Sequence, residues 1–170
     1  MLKSAPRSDR LYTKELFGKS SKSGKIAVVL SSWFGVGFLP GAPGTAASAI
    51  AVPMAFVLKR LGFWQECGFL AALLLIAFWA CGRAWRMAEK DDPQWIVIDE
   101  VIGLLLTFLG LSAGIQDLVI GFILFRIFDI LKPYPVGKME RLPGATGILM
   151  DDVLAGVYAN LCLRLFQLFG

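Results

Sequence analysis

Three ionisable side chains interrupt an apolar stretch, Phe125-Arg126-Ile127-Phe128-Asp129-Ile130-Leu131-Lys132-Pro133-Tyr134-Pro135. At 3.6 residues per turn, the spacing of Arg126, Asp129 and Lys132 puts all three on one face of an α-helix. Pro133 and Pro135 donate no backbone N–H and end that helix. A guanidinium, a carboxylate and an ammonium aligned in this way can grip an anion inside a helical bundle. They can also form an internal ion pair, Arg126 with Asp129, that neutralises itself. Three further groups bear on the choice: the pair Asp99-Glu100, the pair Asp151-Asp152 and the loop Leu39-Pro40-Gly41-Ala42-Pro43-Gly44-Thr45.

The elements that must position these groups are set by composition. The chain has 170 residues, one domain's length, and is 56% hydrophobic and only 18% charged, with mean hydropathy +0.66. An ordinary soluble domain is about 25% charged. No charge occurs from Ile26 to Leu58 or from Cys67 to Gly82. These features predict an all-α integral membrane bundle of about five main helices. Residues 1–25, with seven Lys or Arg, read as a basic arm, flexible or surface-lying, and residues 26–170 as the helical membrane domain. The arm suits an anionic leaflet, and no nucleic-acid motif accompanies it. No small-residue cleavage site follows it, so it does not read as a removed signal peptide.

Ile26 to Leu39 is apolar, but its roughly 14 residues fall short of the 20 or so that a crossing helix needs. The two prolines and two glycines after Leu39 break the run, so this piece is expected to be re-entrant or interfacial. Thr45 is expected to N-cap a helix running through small residues to Leu58. Phe63 to Gly82 reads as the clearest crossing helix, and Arg83 to Pro93 as a charged connection. Ile96 to Leu111 is expected to be helical, with Asp99 and Glu100 in its first turns. Ile115 to Lys132 is the helix of the opening stretch. Pro133 to Gly147 reads as a loop, and Ile148 to Phe169 as the last helix, with Asp151 and Asp152 in its first turn. A cytoplasmic arm and one crossing per helix from Thr45 onward put Arg83, Arg86, Lys90, Lys132, Lys138 and Arg141 inside. Among the loops only Lys59 and Arg60 then fall outside, and that excess of basic residues inside fits the positive-inside rule. The same alternation brings the Pro-Gly loop, Asp99, Glu100, Asp129, Asp151 and Asp152 to one cytoplasmic end and leaves the far halves of the helices apolar.

Carboxylates this dense repel one another unless a cation shares them. With no histidine in the chain, all-oxygen ligation favours a hard ion, Mg²⁺ before Mn²⁺ or Ca²⁺. Neighbouring residues differ by about 100° around a helix, so one member of each acidic pair is expected to point inward. Gly103, Ala155 and Gly156, a turn beyond the acids, would let the helices close around the ion. Arg126 and Lys132 fit clamps on an anionic substrate, most simply a phosphate. Backbone N–H groups from Gly41 to Thr45, that of Gly44 among them, and the helix N-terminus behind them would add to its binding. Singly, the acidic pairs read as helix N-terminal acids favoured by the macrodipole, and the loop reads as a turn. Their convergence on one end points to a site.

Several chemistries are excluded. The lack of histidine removes His-ligated zinc, Ser-His-Asp and Cys-His catalysis and phosphohistidine intermediates. Cys67, Cys81 and Cys162 have no metal-ligand spacing and read as small buried hydrophobes. Neither Cys-x5-Arg, Asp-x-Asp nor the Asp-Gly motif of CDP-alcohol phosphotransferases occurs. Metal-assisted hydrolysis of a phosphate ester remains.

Four motifs then occur in order: Phe38-Leu39-Pro40-Gly41-Ala42-Pro43-Gly44-Thr45, Ile98-Asp99-Glu100-Val101-Ile102-Gly103, Phe125-Arg126-Ile127-Phe128-Asp129-Ile130-Leu131-Lys132-Pro133, and Gly147-Ile148-Leu149-Met150-Asp151-Asp152-Val153-Leu154-Ala155-Gly156. Together, over about residues 26–169, the chain resembles the phosphatidylglycerophosphatase A family. The resemblance implies a Mg²⁺-dependent, all-helical enzyme of the bacterial inner membrane that dephosphorylates phosphatidylglycerol phosphate. It implies Glu100, Asp129, Asp151 and Asp152 as metal ligands or base, with Asp99 beside them, and Arg126, Lys132 and Thr45 on the phosphate. Two other functions compete. A phospholipid-forming phosphotransferase would need the missing Asp-Gly motif, and an ion-coupled transporter would need its carboxylates at mid-membrane depth.

Overall fold

The computed structural model describes residues 17–18, 20–88 and 93–169. Most of the basic arm, and Lys90 with it, lies outside the described residues. The elements are α1 (Lys22–Ser31), a 3₁₀ turn (Val36–Phe38), α2 (Pro43–Leu58), α3 (Phe63–Met87), α4 (Ile98–Thr107), α5 (Ile115–Leu131), the short α6 (Val136–Met139) and α7 (Ala145–Phe169). Among the described residues the protein is all-helical, with no strand.

α4 is the hub. It contacts α7, α2, α3, α5 and α1, and Ile98, Asp99, Val101 to Leu105 and Thr107 are all buried. It is also short. Ten residues rise about 15 Å, and Ile96 and Leu111, expected within it, lie outside the helix although both are buried. Two glycines let α7 reach it. A Cβ on Gly156 would overlap the Gly103 carbonyl oxygen, and a Cβ on Gly103 would sit 2.6 Å from the Asp152 carbonyl oxygen. The expected close approach of the helices is therefore seen at these two glycines, where the α4 and α7 backbones touch one turn above the acids.

Several expected boundaries move for physical reasons. α2 begins at Pro43, whose fixed φ suits the first helical position, with Ala42 at the cap and no side-chain capping bond. Thr45 thus lies inside the first turn and is not the N-cap. α3 runs five residues past Gly82 to Met87, carrying Arg83 and Arg86, with Arg86 favourably placed in its last turn. α7 starts at Ala145, which puts Asp151 and Asp152 in its second turn, beyond the reach of the N-terminal dipole. The 133–147 loop holds α6, and Lys22 to Lys25, counted with the arm, belong to α1. The apolar segment from Ile26 turns back within a few residues. Trp33 (φ 48°), Phe34 (φ 56°) and Gly35 (φ 95°) follow α1 in the left-handed region. The Val97 N–H then donates to the Ser31 carbonyl at 2.8 Å. At ten residues α1 is too short to cross a bilayer.

The far end of the bundle is not apolar as expected. There Asn160 Nδ2 donates to the carbonyls of Leu106, Thr107 and Leu109, and Arg164 also donates to Leu109. Lys59, 2.9 Å from Glu66, donates to the Phe108 carbonyl, while Glu66 accepts from the Gly110 N–H at 3.1 Å. These groups satisfy the carbonyls left open where α4 ends. They are structural caps on a buried helix terminus.

α3 is the one described helix long and apolar enough to cross a membrane, with mean hydropathy 1.8 and only 33% of its most apolar window buried. Outward-facing Leu75, Ile76 and Trp79 on α3, Ile115, Val119, Ile123, Ile127 and Ile130 on α5, and Leu161, Leu165 and Phe166 on α7 are exposed.

Substituting Gly156→Ala will lower the thermal midpoint of detergent-purified protein, at a cost of about 1–3 kcal/mol for forcing α4 and α7 apart. Gly68→Ala, where an added Cβ meets nothing within 4 Å, will be neutral or mildly stabilising through helix propensity. Equal effects from the two would contradict the close-contact account.

Candidate active site

Five elements bring their ends to one cavity of about 290 Å³. α2 and α4 contribute N-termini, α5 its C-terminus, α6 its C-cap residue Glu140, and α7 its first two turns. All nine residues singled out in the sequence line it: Gly44, Thr45, Asp99, Glu100, Arg126, Asp129, Lys132, Asp151 and Asp152. Gln94 and Glu140 line it too, and no spacing pattern pointed to either.

Within the cavity the acids divide. Asp99, Glu100 and Asp152 each bring a carboxylate oxygen to a point where all three lie within 4.8 Å of one another. Both members of the Asp99-Glu100 pair therefore face the site, where one was expected, because α4 is enclosed by protein all round. Of the other pair, Asp152 joins the trio. Asp151 turns to Lys132, with Oδ2 2.8 Å from the ammonium, and accepts the Asp152 N–H on Oδ1. Asp129 lies within hydrogen-bonding reach of Asp152 and 2.7 Å from Arg126 Nη1.

Two buried atoms here lack an aligned partner, Glu100 Oε2 and Arg126 Nη1. The first is an acceptor beside other carboxylates, a position a cation would suit. The second is a donor whose contact with Asp129 is an ion pair without hydrogen-bond alignment, which leaves it able to reach a ligand oxygen. Gly44 packs so closely on Glu100 that a Cβ would sit 2.9 Å from its Cδ. That contact brings the uncapped N-terminus of α2 against the acidic cluster, with the Gly44 and Thr45 N–H groups ahead of the first intrahelical bond, from Ala46 N–H to Ala42.

Electrostatics mark the trio as strained without a cation. Burial first, then the adjacent Glu100, push the Asp99 carboxyl well above its usual range. Burial and the charges of Asp129, Glu100 and Asp151 do the same to Asp152. Burial raises Glu100 as well, against the opposing hydrogen bond from Asp99. Lys132 is held firmly charged by Asp151 and Glu140 despite its partial burial. Three converging carboxylate oxygens, on residues that include the unpartnered Glu100 Oε2, fit a hard divalent ion.

Residues 29–167 match the family model described as Phosphatidylglycerophosphatase A. The chain belongs to the phosphatidylglycerophosphatase A family. Phosphatidylglycerophosphatase A of Escherichia coli is 34% identical over 132 residues, covering 76% of each chain. Phosphatidylglycerophosphatase A of Haemophilus influenzae is 34% identical over 142 residues, covering 82% of this chain and 87% of that one. A Bacteroides thetaiotaomicron protein named "Putative phosphatidylinositol-3-phosphatase" is 36% identical over 142 residues, or 79% of this chain and 89% of the relative. No solved structure matches. The phosphatidylglycerophosphatase A match spans all four motifs and every residue of the cavity.

In the absence of metal, these carboxyls keep protons in the fold that the unfolded chain has already released above about pH 4. The folded state then binds more protons, so its stability falls as pH rises from there toward the raised values. Metal-free protein will show a thermal midpoint that drops between pH 5 and pH 7. Saturating Mg²⁺ will raise the pH 7 midpoint by several degrees and flatten the dependence. A midpoint indifferent to both Mg²⁺ and pH would contradict the cluster's electrostatics.

Proposed function

We propose that the chain hydrolyses phosphatidylglycerol phosphate to phosphatidylglycerol and inorganic phosphate, with Mg²⁺ held by Asp99, Glu100 and Asp152. The observation that carries this reading is the convergent carboxylate trio, with the unpartnered Glu100 Oε2, in a cavity shared with Arg126 and Lys132. The names of the Escherichia coli and Haemophilus influenzae relatives support the choice of substrate.

A divalent ion, when bound, supplies Lewis-acid neutralisation of phosphate oxygens and makes a nearby water more acidic. The chain's own groups do the rest. Arg126 and Lys132, with the N–H groups of Gly44 and Thr45 at the α2 N-terminus, neutralise and orient the phosphate. Asp129, steadied by Arg126, takes the proton of the water that attacks phosphorus. The P–O bond to the lipid alcohol breaks as the new one forms, and the leaving alkoxide takes up the proton that Asp129 accepted from the water. Asp151 holds Lys132 at the cavity wall.

The site faces the cytoplasm of a bacterial inner membrane in this reading, and the protein is multi-pass. α3 crosses the bilayer, and the exposed apolar faces of α5 and α7 extend its girdle. The carboxylates lie beyond the hydrocarbon at the headgroup end, where the substrate's acyl chains remain in the leaflet. Lys22, Lys25, Arg83, Arg86, Lys132, Lys138 and Arg141 gather at this end, and Lys59, Arg60 and Arg164 at the other, which supports the orientation. The transporter reading is not favoured, because Val101 to Leu105 are buried between the two polar ends with no ionisable group among them.

Purified protein with Mg²⁺ will release phosphate from phosphatidylglycerol phosphate, and EDTA will stop it. Asp152→Asn will lower the rate roughly 100-fold or more while the protein still unfolds cooperatively. Phosphatidylinositol 3-phosphate run in parallel reports headgroup preference. Release that survives both EDTA and the substitution would overturn the metal-assisted reading.

A further inference from the structure

Lys132 is held by two carboxylates that differ in kind. Its Nζ lies 2.8 Å from Asp151 Oδ2 and 2.8 Å from Glu140 Oε1. The Asp151 side chain is 10% exposed, and its second oxygen is fixed by the Asp152 N–H. The Glu140 side chain is 51% exposed, at the end of the four-residue α6, and lines the same cavity. Lys132 itself is anchored as the left-handed cap of α5, with φ 44°. One grip on the ammonium is buried and doubly bonded, and the other is half-exposed to solvent.

We propose that Glu140 is the resting counterion of Lys132 and gives the ammonium up to the incoming phosphate, while Asp151 keeps it in place. This rests on the phosphatase reading above and adds a specificity-setting residue to it. An ammonium carries three donors and no acceptor, so a phosphate oxygen can replace the Glu140 oxygen without moving the lysine. The half-exposed carboxylate also repels the arriving anion. Glu140 thereby weakens the hold on phosphate, on substrate and product alike, and eases product release.

The sign of the effect separates this role from a structural one. Glu140→Gln will tighten binding, lowering both KM for the lipid phosphate and the inhibition constant of inorganic phosphate by about two- to fivefold. Glu140→Asp, which keeps the charge, will move both values back toward wild type. In a Lys132→Met background, Glu140→Gln will tighten phosphate binding no further through the lysine, so its effect will shrink. If Glu140→Gln instead raises KM and the phosphate inhibition constant, or leaves them unchanged in an active wild-type background, the counterion role is wrong. If the wild-type protein releases no phosphate from the lipid, the phosphatase reading falls, and this inference falls with it.

Discussion

The contact on which the rest depends is the meeting of two backbones, Gly103 of α4 and Gly156 of α7. Neither position has room for a methyl group, and the carbonyl of each helix lies against the other. Asp99 and Glu100 precede that crossing by one turn on α4, and Asp152 precedes it by one turn on α7. The close approach therefore fixes the separation of the three carboxylates. A Cβ at either glycine would push the helices apart and move Asp152 away from Asp99 and Glu100. Close packing of glycine-rich faces is the usual way apolar helices associate where no hydrophobic force draws them together.

That geometry creates an electrostatic debt that the neighbours discharge only in part. Burial raises the proton affinity of Asp99, Glu100 and Asp152; Glu100 adds to it at both aspartates, and Asp129 adds to it at Glu100 and Asp152. The two nearby cations are both engaged elsewhere, Arg126 with Asp129, and Lys132 with Asp151 and Glu140. Among the described residues, the opposing charge that reaches the trio is that of Arg126, and on Glu100 it counts for less than burial. The fold holds three carboxyl groups together at fixed positions, the arrangement that the proposed cation site requires. The opposite end of α4 shows the contrast. The carbonyls of Leu106, Thr107, Phe108 and Leu109 there each meet Asn160, Arg164 or Lys59.

Much of this was legible in the residues. Alternating helices, broken by Pro and Gly and biased in Lys and Arg, brought five carboxylates to one end on paper, and the cavity collects the same nine residues. The glycine contacts were legible too, because small residues one turn from acids have few other uses. What escaped notice depends on partners that side-chain patterns do not encode. Thr45 looked like a cap, but Pro43 starts the helix earlier through its fixed φ. Asp99 and Glu100 could not be seen to point inward together without knowing that α4 is enclosed on all sides. Glu140 lies eight residues beyond Lys132 across a proline break, where helical periodicity says nothing. Asn160 and Arg164 bind backbone carbonyls, which have no signature in the sequence.

The most direct test of the account is a Mn²⁺ titration of detergent-purified protein followed by electron paramagnetic resonance, comparing wild type with Glu100→Gln and Asp117→Asn. Asp117 lies in the first turn of α5 at the opposite end from the site. The account predicts saturable binding displaced by Mg²⁺ in wild type and in Asp117→Asn, and at least about tenfold weaker binding in Glu100→Gln. Equal binding in all three, or catalysis by wild-type protein that binds no ion, would contradict it.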